Sequence, residues 1–154
     1  MKIVVMSDSH WYNMYFQEVV SDNQDADLII HCGDYDPQIK IPSGVVAVKG
    51  NNDFNSDLPD EKTLTFAGLK ILVTHGHQYY SSRRAQMLAE KGKKLGCQLV
   101  CFGHTHVPFA EKIDDVWVVN PGSLYQNRDG SNIGYTIITV EEGAIKSIKR
   151  QPLR

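Results

Sequence analysis

The sequence predicts an α/β (α+β) fold of stacked layers, and three observations predict it. The apolar runs are short, rich in β-branched residues and bounded by Gly, Pro, Asn and Asp, which is how strands read. Only residues 12–22 and 82–95 carry helical spacing. Both stretches fall between strands rather than in one block, the order expected when helices cover sheets.

In chain order, strands are expected at Lys2–Met6, Asp27–His31, Val45–Val48, Lys62–Phe66, Leu69–Thr74, Leu99–Phe102, Trp117–Val119 and Tyr135–Val140. The fourth and fifth, joined at Ala67-Gly68, read as a hairpin. In the second helical stretch Ala85, Leu88, Ala89 and Leu95 share a face, Ser81 or Ser82 can cap its start, and Gly96 can end it. With 154 residues, 42% of them hydrophobic, the chain is expected to form one domain over residues 1–154 with no cap or accessory domain.

Composition removes several classes of function. A net charge of -2 argues against a protein built to grip a nucleic-acid polymer, which normally shows a basic footprint. No apolar run approaches the roughly eighteen residues of a membrane span. The apolar start, Met1–Met6, is too short for a signal peptide, so a cytoplasmic location is expected. Cys32, Cys97 and Cys101 are odd in number and lack Cys-x-x-Cys spacing, which reads as buried thiols in a reducing compartment.

The residues that follow the apolar runs carry the functional signal. Met6 is followed by Ser7-Asp8-Ser9-His10, and Ile30 by His31-Cys32-Gly33-Asp34. Val48 leads to Gly50-Asn51-Asn52-Asp53, and Val73 to Thr74-His75-Gly76-His77. Phe102 leads to Gly103-His104-Thr105-His106, and Val119 to Asn120-Pro121-Gly122-Ser123. In layered α/β folds ligands bind in the crevice outside the carboxyl ends of strands. All six histidines sit at such ends, and neither expected helix contains one.

Asp, His and Asn without cysteine suit a divalent ion such as manganese, iron or zinc. Asp-x-His and His-x-His on extended chain place both side chains on one face, because the strand period is two. Asp8, His10, Asp34, Asn51, His75, His104 and His106 make seven donors. One zinc-like ion takes about four ligands. Seven suit two ions that share a carboxylate.

The ordered set Asp-x-His, Gly-Asp, Gly-Asn-x-Asp, His-Gly-His and Gly-His-x-His resembles the calcineurin-like metallophosphoesterase superfamily. The short chain and its Asn-Pro-Gly-Ser at 120–123 are similar to the small prokaryotic (YfcE-like) phosphodiesterase branch. The resemblance implies a four-layer α-β-β-α sandwich with two mixed β-sheets. It also implies two divalent ions, commonly manganese, with iron, zinc, nickel or cobalt as alternatives. Asp8, His10 and His106 would bind the first ion, Asp34 would bridge, and Asn51, His75 and His104 would bind the second. Many members of the family have a histidine where this chain has Asn52, which cannot shuttle a proton.

The expected activity is hydrolysis of a small phosphate ester by a metal-bridging hydroxide, with diesters favoured. Two dications, two aspartates and one hydroxide leave roughly one positive charge, which a diester monoanion neutralises. Asn51, His75 and His77 are the expected catalytic residues, His77 because it lies two positions past His75. His31 reads as a satisfied core histidine, Trp11 and Tyr12 as core packing or a stacking platform, and Arg83 and Arg84 as a solvated helix start or a phosphate contact. A phosphomonoesterase, a nuclease and a scaffold like the retromer's small subunit are the rival readings. The expected partner is a small substrate, and self-association is left open.

Overall fold

The computed structural model describes residues 1–11, 13–35 and 40–153, so Tyr12 lies outside the described residues. Strand β1 (Lys2–Met6) leads to helix α1 (Asn13–Asp22), then to β2 (Leu28–His31) and β3 (Val45–Ala47). A hairpin of β4 (Glu61–Phe66) and β5 (Leu69–Thr74) precedes helix α2 (Arg84–Lys94) and β6 (Leu99–Cys101). The chain finishes with β7 (Phe109–Ile113), β8 (Val116–Asn120), β9 (Gly134–Glu141) and β10 (Ala144–Pro152).

The strands form two five-stranded sheets, ordered β10-β9-β1-β2-β3 and β4-β5-β6-β8-β7. Each is mixed. In the first, β1, β2 and β3 run parallel, β9 runs antiparallel to β1, and β10 runs antiparallel to β9. In the second, β5, β6 and β8 run parallel and the outer strands β4 and β7 antiparallel.

Period-two alternation explains how the sheets stack. On β1, Ile3 and Val5 enter the core between the sheets, while Val4 and Met6 face Phe16 and Val19 of α1. On β5 and β6, Ile71, Val73, Leu99 and Cys101 face inward, while Leu72 and Val100 pack against Leu88 and Ala89 of α2. The result is the four-layer α-β-β-α order implied by the resemblance. Among the described residues, no helix is long and apolar enough to cross a membrane.

Three local expectations need correction. Strands β7 and β10 were not expected. Both are edge strands, with mostly exposed or half-buried residues, and β10 carries a register shift between Ile145 and Ser147 that interrupts its period. Neither Ser81 nor Ser82 caps α2. The N-cap is Arg83, with no side-chain cap, and the Ser81 hydroxyl, two residues before it, accepts from the Arg83 amide at 3.0 Å. The helix end follows expectation: Gly96 takes φ 76°, and the Cys97 amide returns to the Gly92 carbonyl at 2.8 Å.

Parallel strands in both sheets point their carboxyl ends to one edge. The loops after β1, β2, β3, β5 and β6 therefore meet there, and these are the loops that hold the seven proposed donors.

Candidate metal centre

The loops that carry the proposed donors are not extended. Asp8, His10, Asp34, His104 and His106 all have φ between 49° and 70°, the left-handed region that non-glycine residues seldom enter. The expected one-face geometry of an extended Asp-x-His or His-x-His is thus replaced by tight left-handed turns. Strain of this kind concentrates at functional sites, where surrounding bonds impose it. Here the Asp8 amide donates to the Gly33 carbonyl at 3.0 Å and the His10 amide to the Asp34 carbonyl at 2.9 Å. Gly33 has φ 104°, and a Cβ there would lie 2.8 Å from both the Gly50 nitrogen and His75 Nδ1. Only glycine fits that crossing.

All seven proposed donors converge. On one side, His106 Nε2 lies 3.2 Å from Asp8 Oδ1 and 3.2 Å from His10 Nε2. On the other, His104 Nδ1 lies 3.1 Å from Asn51 Oδ1 and 3.3 Å from His75 Nε2. Asp34 Oδ2 stands between the two groups, 3.9 Å from His10 Nε2 and 3.3 Å from His75 Nε2. Asp8 Oδ1 also comes within 3.8 Å of His75 Nε2. His104 and His106, two residues apart, face different groups.

Four of the donors, Asp8, Asp34, His75 and His106, are held from behind. His75 Nδ1 meets the Cys32 carbonyl at 2.8 Å and His106 Nδ1 the Gln126 carbonyl at 2.8 Å, which leaves each Nε2 facing the centre. Asp8 Oδ2 accepts from the Ser7 hydroxyl at 2.6 Å and the His104 amide at 3.0 Å. Asn52 donates its amide to Asp34 Oδ1 and its side-chain amide to Asp34 Oδ2, both at 2.9 Å. Asp53 Oδ2 accepts from the Asp34 amide at 2.8 Å and the Gly50 amide at 2.7 Å, tying two ligand loops together. The Ser123 hydroxyl donates to the Asp8 carbonyl at 2.7 Å, and the Asn120 side chain to the Gly103 carbonyl at 3.0 Å. The supporting roles of Asn52, Asp53, Asn120 and Ser123 were not read from the sequence, although their motifs were visible in it.

A family model described as the calcineurin-like phosphoesterase superfamily domain matches residues 1–143. The chain belongs to the calcineurin-like phosphoesterase superfamily. It is 35% identical over 147 residues to the probable metallophosphoesterase YsnB of Bacillus subtilis, covering 94% of this chain and 87% of the relative. A predicted phosphoesterase from Streptococcus pneumoniae superposes with TM-score 0.82 at 29% identity, covering 91% of this chain and 83% of the other. Vps29 of Entamoeba histolytica, solved with zinc, superposes with TM-score 0.73 over 97% of this chain and 96% of its own, but at 17% identity it speaks for the fold alone.

Within this phosphoesterase fold the electrostatics favour positive charge at the centre. Burial opposes ionisation of Asp8, yet His106, His75 and the Ser7 hydroxyl more than offset it and hold the carboxyl below the usual range. Burial also opposes ionisation of Asp34, and His75 with the two Asn52 donors pulls it well below that range. Burial lowers the His75 pKa, but the facing Asp34 and Asp8 carboxylates win and raise it. His104 is driven down to about 4 by burial, then by His75 and Arg84. Burial likewise lowers His10, against the pull of both carboxylates.

The remaining expected residues are placed as follows. His77 borders the site, its ring 5.5 Å from that of His75 and 6.1 Å from that of His104, and its Nδ1 is buried without a hydrogen-bond partner. Trp11 is 67% exposed and so is not core packing. Arg83 is exposed, whereas half-buried Arg84 donates Nε to the Gly76 carbonyl at 3.1 Å and the Tyr79 carbonyl at 2.9 Å, bracing the His75 loop rather than lying solvated.

His31 is the satisfied core histidine expected. Its Nδ1 accepts from the Gly33 amide at 3.1 Å, which leaves Nε2–H to donate to the Ser9 hydroxyl at 2.9 Å. Burial pushes its pKa down to about 4. An unfolded histidine titrates near about 6.5, so the unfolded state binds more protons between those values. This contribution to stability is fully present above that upper pH and is lost as pH falls through the window, on the order of 3 kcal/mol in all. His31→Gln, measured by urea unfolding across the window, is expected to flatten the pH dependence.

Proposed function

We propose that the chain is a dinuclear-metal phosphoesterase that acts on small phosphate esters, diesters before monoesters. The observation that carries this reading is the placing of Asp34 Oδ2 between two groups of nitrogen and oxygen donors, 3.9 Å from His10 Nε2 and 3.3 Å from His75 Nε2. The donor set fits a pair of cations on independent grounds. Asp8 Oδ1 is buried with no hydrogen-bond partner, a costly state for a carboxylate oxygen unless a positive charge meets it. Asp8, His10 and His106 form one group whose ligand atoms lie within 4.8 Å of one another, and Asp8, Asp34 and His75 form a second. Asn51 and His104 complete the second side through their 3.1 Å approach. Oxygen and imidazole donors without thiolate suit manganese, and also iron, zinc, nickel or cobalt.

When bound, such a pair supplies Lewis acidity, generates a nucleophile from water near neutral pH and clamps the attacking and leaving oxygens of an in-line displacement. The chain's own residues set the rest. The Cys32 and Gln126 carbonyls keep His75 and His106 in the ligating tautomer. Asn52 holds the shared Asp34 oxygen and is a positioning residue, not a proton donor. His77 is the imidazole placed beside the His75 and His104 rings, and we assign it contact with the substrate phosphate.

Neutral Asn51 keeps the resting centre one charge more positive than an aspartate would, which is the charge a diester anion answers. Asn51→Asp is therefore expected to lower diester turnover at least about tenfold, about 1.4 kcal/mol, while manganese binding holds or tightens. Steady-state rates beside a manganese titration check it; unchanged turnover removes the charge argument. The reaction class is tested with bis(p-nitrophenyl) phosphate against p-nitrophenyl phosphate in added manganese. Faster diester cleavage is expected, and monoester preference overturns that order.

A further inference from the structure

Trp11 and Phe54 are large apolar side chains left 67% and 86% exposed. Single exposed apolar residues are ordinary, but these two are not scattered. Trp11 directly follows His10, and Phe54 lies three residues beyond Asn51, so each is carried on a proposed ligand loop. Together with His10, Tyr35, Asn52 and Asn55 they line one cavity of about 330 Å³. His10 connects that cavity to the centre, since its Nε2 lies 3.9 Å from Asp34 Oδ2. Tyr35 is 8% exposed and its hydroxyl donates to Ser56, which fixes the inner wall.

We infer that this cavity holds a flat aromatic group carried by the substrate, a nucleobase or an aryl ring, and that Trp11 and Phe54 select for it. The inference rests on the phosphoesterase reading for the position of the phosphate, and deepens it. Aromatic side chains stack on any π face, and the interaction is strong enough to dominate the selection of a small ligand. Asn52 and Asn55 add amide groups that can meet the polar edge of such a ring. A cleft near the lower end of the usual ligand range, about 300–1,000 Å³, accepts one ring system and not a polymer. The net charge of -2 agrees, because tracking a strand requires a basic groove.

The test is calorimetric titration of the manganese-loaded protein with two matched pairs: AMP against ribose 5-phosphate, and phenyl phosphate against methyl phosphate. In at least one pair the ring-bearing member is expected to bind about tenfold more tightly, within the range seen for base stacking. Trp11→Ala and Phe54→Ala are each expected to shrink that ratio to about twofold or less. Preference confined to the AMP pair names a nucleobase; preference confined to the phenyl pair names an aryl ester. Equal affinities in both pairs, or a preference that survives both substitutions, overturn the inference. Bis(p-nitrophenyl) phosphate hydrolysis in the same samples separates the two readings. Hydrolysis without ring preference removes the cavity assignment alone, whereas ring preference without hydrolysis removes the phosphoesterase and leaves the cavity standing.

Discussion

Asp34→Asn is expected to lower phosphodiester turnover by about 10³-fold or more and to reduce bound manganese from two ions per chain toward one. The substitution keeps the shape of the side chain and removes its charge. Asp34 Oδ2 lies between the two donor groups, 3.9 Å from His10 Nε2 and 3.3 Å from His75 Nε2, and its carboxyl is held well below the usual range by His75 and by Asn52. A neutral amide offers one acceptor oxygen where two cations would need a shared anion, so one group loses its partner. The Asn52 side-chain donor would also face an amide that presents N–H on one of its two positions. Metal analysis of the purified variant, with rates on bis(p-nitrophenyl) phosphate, checks both parts. Circular dichroism controls for folding. A variant with wild-type turnover and two ions per chain would show that Asp34 is not shared.

The ease with which different parts could be read from sequence follows their physics. Strand β5 is legible at Leu69–Thr74 because its residues serve two apolar layers, so four of its six positions are hydrophobic. Strand β10 gives no such signal: Lys146, Lys149 and Arg150 occupy an edge, and only Ile145 and Ile148 reach the inter-sheet core. The seven donors were legible as residue types because Asp, His and Asn interrupt apolar runs at strand ends. Their geometry was not, since a left-handed φ at Asp8 or His106 leaves no mark in the identity of those residues. The groups that orient the histidines were hidden for another reason. The Cys32 and Gln126 carbonyls are backbone, and any residue supplies one. Asn52 was read by what it lacks, a titratable proton, whereas its two bonds to Asp34 appear only once the loops meet.

Chelation of divalent ions is expected to abolish hydrolysis completely and to lower the thermal midpoint, and manganese is expected to restore both. The two effects have one origin. The centre crowds Asp8, Asp34 and four imidazoles, His10, His75, His104 and His106, into a few ångströms, with one Asp8 carboxylate oxygen lacking a hydrogen-bond donor. A ligand that binds only the folded state stabilises it by about 2.7 kcal/mol at one hundred times its dissociation constant. For a chain of this length that is a shift of about 5–10 °C per ion. Protons compete with cations for His75, whose pKa the facing Asp34 and Asp8 carboxylates raise, so the manganese-dependent rise in midpoint is expected to shrink as pH falls. Scanning calorimetry with EDTA, then with excess manganese, measures the stability effect, and the same samples report turnover. A scaffold of this fold would show no turnover in either state, even if ions stabilised it. An enzyme whose activity survived exhaustive chelation would owe its chemistry to something other than these donors. Joint loss and joint recovery would tie activity and stability to the same ligand atoms.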